Sequence, residues 1–278
     1  MKAKTIKQVI RKKVDSWLAS ITDETVRKQV EKNIVVTGGS IASMLLGEPV
    51  NDFDLYFTDI ETTTAVANYY VNKSEFPDIA VSVDDGRVRI TTPSGHRGEI
   101  LEVGEIEDKN EEVEEAAQTA EDKGEYRPVF FSTNAITLTG KLQLILRFYG
   151  EPDLIHENYD FIHCTNYWTS KDGNLVLRPA SLEALLTKEL RYVGSKYPLC
   201  SIIRLRKFIK RGWCINAGQI LKMVMQCADL DLKNPAVLED QLTGVDALFF
   251  IQVVGALKEK NPDKVDAAYL VEIIDRMF

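Results

Sequence analysis

Thr37-Gly38-Gly39-Ser40-Ile41-Ala42-Ser43-Met44-Leu45-Leu46-Gly47, followed by Asn51-Asp52-Phe53-Asp54-Leu55, is the stretch that decides the fold of this chain. Asn33 to Thr37 is a short β-branched run that ends at the paired glycines. Ser40 to Leu46 then reads as a helix stopped by Gly47. Asp52 to Phe57 alternates with the period of two that a strand shows. On such a strand Asp52 and Asp54 share one face, while Phe53 and Leu55 turn toward a core. Neighbouring carboxylates repel unless a cation neutralises them, and oxygen ligands of this kind suit Mg²⁺ or Mn²⁺. A strand that runs into Gly-Gly-Ser and opens a helix leaves backbone N–H groups and a positive helix end for phosphate oxygens. Taken alone, Gly-Gly-Ser is usually a turn, and Asp-x-Asp is usually a solvated strand end. Their combination predicts a phosphate cradle at Gly38, Gly39 and Ser40 beside a divalent-cation pair at Asp52 and Asp54.

Working outward, Ile6, Val9, Ile10, Val14, Trp17 and Leu18 recur at helical spacing, so residues 5–32 read as one or two amphipathic helices. Residues 61–73 read as a helix, and strands are predicted over 79–83, 87–92 and 98–103. Val129–Leu138, Leu142–Phe148 and Tyr159–Tyr167 are further β-type runs. From Leu182 onward the pattern turns helical, with Leu185, Leu186, Leu190, Tyr192 and Val193 as one apolar stripe and Ile202, Ile203, Leu205, Phe208 and Ile209 as another. A strand-rich front half before a helical back half is an α+β arrangement. The expected organisation is an N-terminal helical segment over 1–32, a mixed-sheet head over 33–180 and a helical region over 181–278.

The 278 residues carry a net charge of −8, distributed unevenly. Between Glu102 and Glu125 eleven acidic residues face two lysines, a local charge of −9 that leaves +1 for the rest. This acidic insertion, over 104–125, is almost bare of large apolar residues and cannot bury a face of its own. Between Arg178 and Lys222 ten basic residues face Glu183 and Glu189, a local charge of +8. A basic stretch of that density is able to hold a triphosphate or a nucleic-acid backbone, although an isolated basic run is more often a solvated helix face. The apolar fraction of 45% is that of an ordinary globular chain and excludes a wholly disordered or collagen-like one. No apolar run reaches the length of a membrane-spanning helix; the longest, Ala247–Leu257, contains Gln252 and Gly255. The basic N-terminus is not followed by a signal-peptide stretch, so a cytoplasmic location without membrane partners is expected. Four dispersed cysteines and three histidines match no disulfide framework or zinc-finger spacing.

The run Gly38–Gly47 followed by Asn51–Leu55 resembles the signature of the DNA polymerase beta-like nucleotidyltransferase superfamily, and within it the head of the CCA-adding and bacterial poly(A) polymerase group. Phe131-Ser132-Thr133-Asn134-Ala135-Ile136 is similar to that group's Phe-Thr-Ile-Asn-Ala-Leu. Ile202–Phe208 with Arg211-Gly212-Trp213 is similar to its helical neck. The whole chain also resembles phage-encoded nucleotidyltransferase-like proteins, which would place it in a host cytoplasm. Two stretches depart from the group: Ala42 and Ser43 stand where it has Arg-Asp, and Phe130 and Phe131 precede Ser132 where it has Arg-Arg-Asp before its Phe.

The resemblance implies a mixed-sheet nucleotidyltransferase head and a helical neck. It implies transfer of a nucleoside monophosphate from an NTP to an acceptor hydroxyl, at an RNA (tRNA-like) 3′ end, with release of pyrophosphate. It also implies a third carboxylate on a strand beside Asp52 and Asp54, completing a two-cation site. Asp160, a lone acid entering an apolar run, is the first candidate, with Glu99 and Glu102 as the alternatives. Lys188, Arg191 and Arg204 are the candidates to grip the triphosphate alongside Gly38, Gly39 and Ser40. The alternatives are a catalytically inactive nucleotide- or RNA-binding regulatory module on the same fold, and nucleotidylation of a protein or small molecule.

Overall fold

The computed structural model describes residues 1–74, 79–91 and 126–232, together with residues 234, 237 and 241. The predicted strand over 98–103, the alternatives Glu99 and Glu102, the acidic insertion and the apolar run Ala247–Leu257 lie outside the described residues.

Two helices lead in. Helix α1 (Ala3–Ser20) buries Ile6, Ile10, Val14, Trp17 and Leu18, a stripe repeating every three to four residues. Helix α2 (Glu24–Glu31) starts where the Asp23 carboxylate accepts the Thr25 and Val26 backbone N–H groups. Strand β1 (Ile34–Thr37) is buried throughout and runs into α3 (Gly39–Leu46). Gly47, in the left-handed conformation, closes α3. Strand β2 (Phe53–Phe57) and helix α4 (Ile60–Lys73) follow, the latter capped by Asp59. Trp17 Nε1 donates to the Tyr70 hydroxyl at 2.8 Å inside the core and so ties α1 to α4.

Strands β3 (Ala80–Asp84) and β4 (Arg87–Thr91) form a separate hairpin. Strands β5 (Pro128–Phe131), β6 (Ala135–Leu138) and β7 (Leu142–Ile145) lead to the short helix α5 (Pro152–His156) and a 3₁₀ turn at Ile162–Cys164. Strands β8 (Tyr167–Thr169) and β9 (Leu175–Val176) complete a seven-stranded sheet in the order β5-β6-β7-β2-β1-β8-β9. Its pairings are antiparallel except β2 with β7, so the sheet is mixed. Helices α6 (Pro179–Thr187), α7 (Pro198–Lys210) and α8 (Ala217–Ala228) follow. The fold is α+β, as the sequence predicts. No helix among the described residues is long and apolar enough to cross a membrane.

Three local expectations are corrected. Val129–Leu138 is a hairpin, because Ser132 turns the chain: its Oγ accepts the Ala135 N–H at 2.9 Å. Tyr159–Tyr167 is not one strand, and Asp160 therefore lies in a loop. Phe161 makes a single bridge to Tyr192, and the Thr165 hydroxyl donates to Ile162 O at 2.7 Å to close the 3₁₀ turn. The apolar stripe from Leu185 to Val193 is not helical to its end. Helix α6 stops at Thr187, with Lys188 left-handed at φ 49°. Leu190 and Tyr192 then alternate inward along extended chain, and Leu186, on the outer face of α6, is 87% exposed.

Candidate functional site

A cleft of about 270 Å³ opens between one face of the sheet and helix α7. Its sheet wall follows from strand alternation. On β2, Phe53 and Leu55 are buried in the main core, while Asp54 and Tyr56 line the cleft. On the parallel neighbour β7, Leu142 and Leu144 enter the same core, while Gln143, Ile145 and then Arg147 line the cleft. The register sets Phe53 beside Leu142 and Asp54 beside Gln143. Asp52, just before β2, is exposed at the rim.

The turn from β1 into α3 presses against this wall. Gly38 has φ +93°, and a Cβ added to it would sit 2.8 Å from Asp54 Oδ2 and 3.4 Å from the Tyr159 hydroxyl. Only glycine meets both requirements. Above Gly39 there is open space, and Gly38, the N-cap residue of α3, has no side chain to cap it. The start of that helix therefore lies beside a carboxylate, and Gly38 brings no side chain of its own to it. Ser40 is 2% exposed, lines the cleft, and its Oγ has no partner among the described residues. Thr37, at the end of β1, is fixed from behind: its hydroxyl donates to Asn166 O at 2.9 Å and lies 2.8 Å from His156 Nε2.

The opposite wall is one face of α7 and the turn after it. Arg204, Lys207, Phe208 and Arg211 line the cleft at helical spacing. Arg204 Nη1 donates to Asp160 Oδ2 at 2.6 Å, and both side chains are largely buried. Arg211 pairs with Glu48, which also accepts from Lys188 Nζ at 3.2 Å. Burial pushes the Glu48 carboxyl up, but these two cations outweigh it and hold the group below its ordinary range. Lys207 is exposed and has no ion-pair partner among the described residues.

Aromatic rings back this wall. His163, 1% exposed, sits 4.3 Å from the Trp213 ring and 4.8 Å from Phe208 between centroids. Burial lowers its pKa to about 4, with Arg211 adding to the effect and Asp160 opposing it. Burial likewise raises the Tyr56 and Tyr159 hydroxyls, with the Asp54 charge acting in the same direction. It also raises the Cys164 thiol, with Asp160 and Asp54 adding to it, so this thiol stays protonated. Near neutral pH these groups supply neutral surface rather than a base.

Gly38, Gly39, Ser40, Asp52, Asp54, Asp160 and Arg204 all line the one cleft. Lys188 and Arg191 do not: Lys188 holds Glu48, and Arg191 Nη1 holds Glu183 at 2.8 Å with Glu189 also nearby. Asp52 and Asp54 both line the cleft, and oxygen donors of this kind are those a hard divalent cation takes. The set Asp52, Asp54 and Asp160 does not form a metal-binding cluster among the described residues. Gln143 and Arg147 join the site without a sequence expectation, although Gln143-x-Ile145-x-Arg147 has strand spacing. Lys207 and Arg211 are likewise recoverable from Arg204-x-x-Lys207-Phe208-x-x-Arg211, which repeats as a helix face does.

The fold and this cleft define a mixed-sheet α+β protein in which a glycine turn and helix start abut a carboxylate-bearing strand. The family described as Gabija anti-defense 2 family protein matches residues 8–188, and the chain belongs to it. It is 24% identical over 107 residues to Gabija anti-defense 2 of Bacillus phage SPbetaL7, a match covering 38% of this chain and 27% of that protein. The matched stretch thus spans about a quarter of that relative's length. Among solved structures, the Thermotoga maritima CCA-adding enzyme complexed with tRNA is similar at 15% identity and TM-score 0.40, over 95% of this chain and 53% of that one. The Bacillus stearothermophilus CCA-adding enzyme in complex with CTP is similar at 12% identity and TM-score 0.40, over 90% and 53%. The chain spans about half the length of these enzymes.

Proposed function

We propose that this protein is a nucleotidyltransferase that moves a nucleoside monophosphate from an NTP to an acceptor hydroxyl and releases pyrophosphate. The observation that carries this reading is the contact between Gly38 and Asp54. A glycine turn opening a helix packs against a carboxylate so closely that a Cβ at Gly38 would stand 2.8 Å from Asp54 Oδ2. Phosphate oxygens and a cation-binding carboxylate are thereby served from one point.

Asp52 and Asp54 hold Mg²⁺ or Mn²⁺ in this reading. When bound, the cation neutralises phosphate charge and steadies the developing charge of in-line displacement. The N–H groups at the start of α3 and the Ser40 hydroxyl take non-bridging phosphate oxygens. Arg204, Lys207 and Arg211 face the nucleotide from α7 and set a positive wall along the acceptor path. The acceptor oxygen forms a bond to the α-phosphorus, the bond from that phosphorus to the bridging oxygen of pyrophosphate breaks, and the hydroxyl proton is lost to solvent. The α7 face suits a polyanionic acceptor, and we assign an RNA 3′ end to it. The family supplies the setting: the reaction serves to counter Gabija defence.

Incubating the full chain with each labelled NTP, Mg²⁺ or Mn²⁺, and total host RNA and protein tests this reading. Label in the RNA fraction, absent with Asp52→Asn or Asp54→Asn, is the expected result. Full transfer by Asp54→Asn would overturn the assignment. Label in protein would replace the RNA acceptor. Nucleotide binding with no pyrophosphate release would leave a binding module.

A further inference from the structure

We propose that Lys188, Arg211 and Ser43 form a second phosphate site, for a backbone phosphate of the RNA acceptor, and that Glu48 fills this site as an internal stand-in until the acceptor displaces it. The inference rests on the RNA reading of the same cleft and extends it.

The site already binds an anion. Glu48 Oε2 accepts from Arg211 Nη2, and Glu48 Oε1 accepts from Lys188 Nζ at 3.2 Å. Arg211 Nη2 also donates to Ser43 Oγ at 3.4 Å, and Arg211 and Ser43 both line the cleft. One oxygen for each cation is an arrangement that two non-bridging phosphate oxygens can take over.

Helix ends sort the three charges. Lys188 is the C-cap residue of α6, and Arg211 is that of α7. The partial negative charge of a helix C-terminus favours cations, so both keep their places without Glu48. Glu48 stands just past the C-terminus of α3, after Gly47, where the same partial charge disfavours a carboxylate. Its backbone is fixed, the Glu48 N–H donating to Ser43 O at 2.9 Å, so only its side chain has to move. The Glu48 side chain is 26% exposed, that of Arg211 36% and that of Lys188 40%. Ion pairs so open to water contribute little net stability. A phosphate takes a guanidinium through two parallel hydrogen bonds and competes well against such a pair.

Helix α3 also sets which phosphate is meant. Its eight residues span about 12 Å, with the Gly38 turn at the opposite end from Glu48. A triphosphate seated at that turn leaves the far end to another phosphate. Arg204, Lys207 and Arg211 line the cleft along α7, and a polyanionic backbone following them arrives at Glu48.

RNA binding without nucleotide or metal tests the displacement. A 5′-fluorescein-labelled oligoadenylate RNA is titrated with the full chain over a range of KCl concentrations and followed by fluorescence anisotropy. Glu48→Gln should bind about threefold to tenfold more tightly than wild type. Its slope of log affinity against log salt should be steeper by up to about one, because no carboxylate is released to take up a counter-ion. In a Lys188→Ala/Arg211→Ala background, Glu48→Gln should give no gain, since the cations it frees are gone. A gain that persists there would show general charge repulsion and overturn the inference. Unchanged or weaker binding by folded Glu48→Gln would also overturn it, while salt-dependent binding by the wild type kept the RNA reading standing. If Glu48→Gln does not fold, Glu48→Asp, which keeps the charge but shortens the reach, is measured in its place, and an affinity no higher than wild type overturns the inference. No salt-dependent binding by wild type or variant would overturn both the inference and the RNA acceptor beneath it.

Discussion

The two walls of the cleft are built in opposite ways. On the sheet side, register sets every side chain: Asp54 and Gln143 face the cleft because Leu55 and Leu144 face the core. On the α7 side, positions depend on ion pairs between distant segments, Asp160 with Arg204 and Glu48 with Arg211 and Lys188. The sheet wall is thus rigid by covalent alternation and core burial. The helical wall is backed by packed rings, but its cleft-facing charges are held by ion pairs that a change of pH, salt or a bound polyanion competes for. On the proposed function, a rigid wall suits the chemistry, and an exchangeable one suits a substrate that must enter and leave.

The sharpest way to break that contrast is at Gly38. Gly38→Ala drives a methyl into Asp54 Oδ2 at a positive φ and should cost about 1–3 kcal/mol of stability. It should also lower Mn²⁺ and nucleotide affinity by about tenfold to a hundredfold. Urea unfolding and calorimetric titration read the two effects. Gly39→Ala, where nothing lies within 4 Å, should keep its fold. Equal damage at both glycines would show that the close approach to Asp54 is unimportant.

Arg204→Ala probes the other wall. It leaves Asp160 without this partner in a largely buried place, and we expect a loss of about 1–3 kcal/mol, reduced from the fully buried case by partial exposure. The double variant with Asp160→Asn should recover part of it. A purely additive double variant in urea unfolding would mean that the pair is not coupled.

His163 gives a pH signature. Its folded pKa of about 4 lies below the unfolded value near 6.5, so between those limits the unfolded chain binds a proton that the folded chain does not. Stability should fall as pH drops through that window, by at most about 1.4 kcal/mol per pH unit for this residue. His156, lowered to about 4 mainly by burial and then by Arg178, adds a similar slope. His163→Phe should therefore remove about half of the histidine slope in thermal melts between pH 6.5 and 4. An unchanged slope would contradict the buried neutral imidazole.

The smallest effect belongs to Lys207→Ala. Stability should stay within about 0.5 kcal/mol of wild type, because the side chain is exposed. If RNA lies along α7, the slope of log affinity against log salt should fall by about one. An unchanged slope would move the RNA path away from this residue.

The sheet wall is also the wall most legible in the sequence. Period two in Asp52–Phe57 and the glycine pair mark β1, α3 and β2 almost to the residue, because alternation and glycine are local signals. Asp160 reads as a strand residue because Tyr159–Tyr167 is apolar and aromatic. Short polar side chains turn the chain there instead, with Thr165 bonding back to Ile162 O. Lys188 reads as facing the ligand on charge alone. Its left-handed backbone carries it to Glu48, a pairing 140 residues distant in sequence that no local pattern shows. Gln143 escapes notice in the sequence for a related reason: its importance comes from its strand neighbour, which only the sheet order reveals.

The one parallel pairing among the described strands of the sheet has a consequence for how the protein reaches its folded shape. Asp54 and Gln143 meet across 89 positions of chain, so the sheet wall closes only when a long loop does. Such high contact order slows folding. Loop-closure entropy, however, grows only with the logarithm of length, and doubling a loop costs about 0.6 kcal/mol. The 89-residue separation therefore weighs far more on the rate at which the sheet wall forms than on its equilibrium stability.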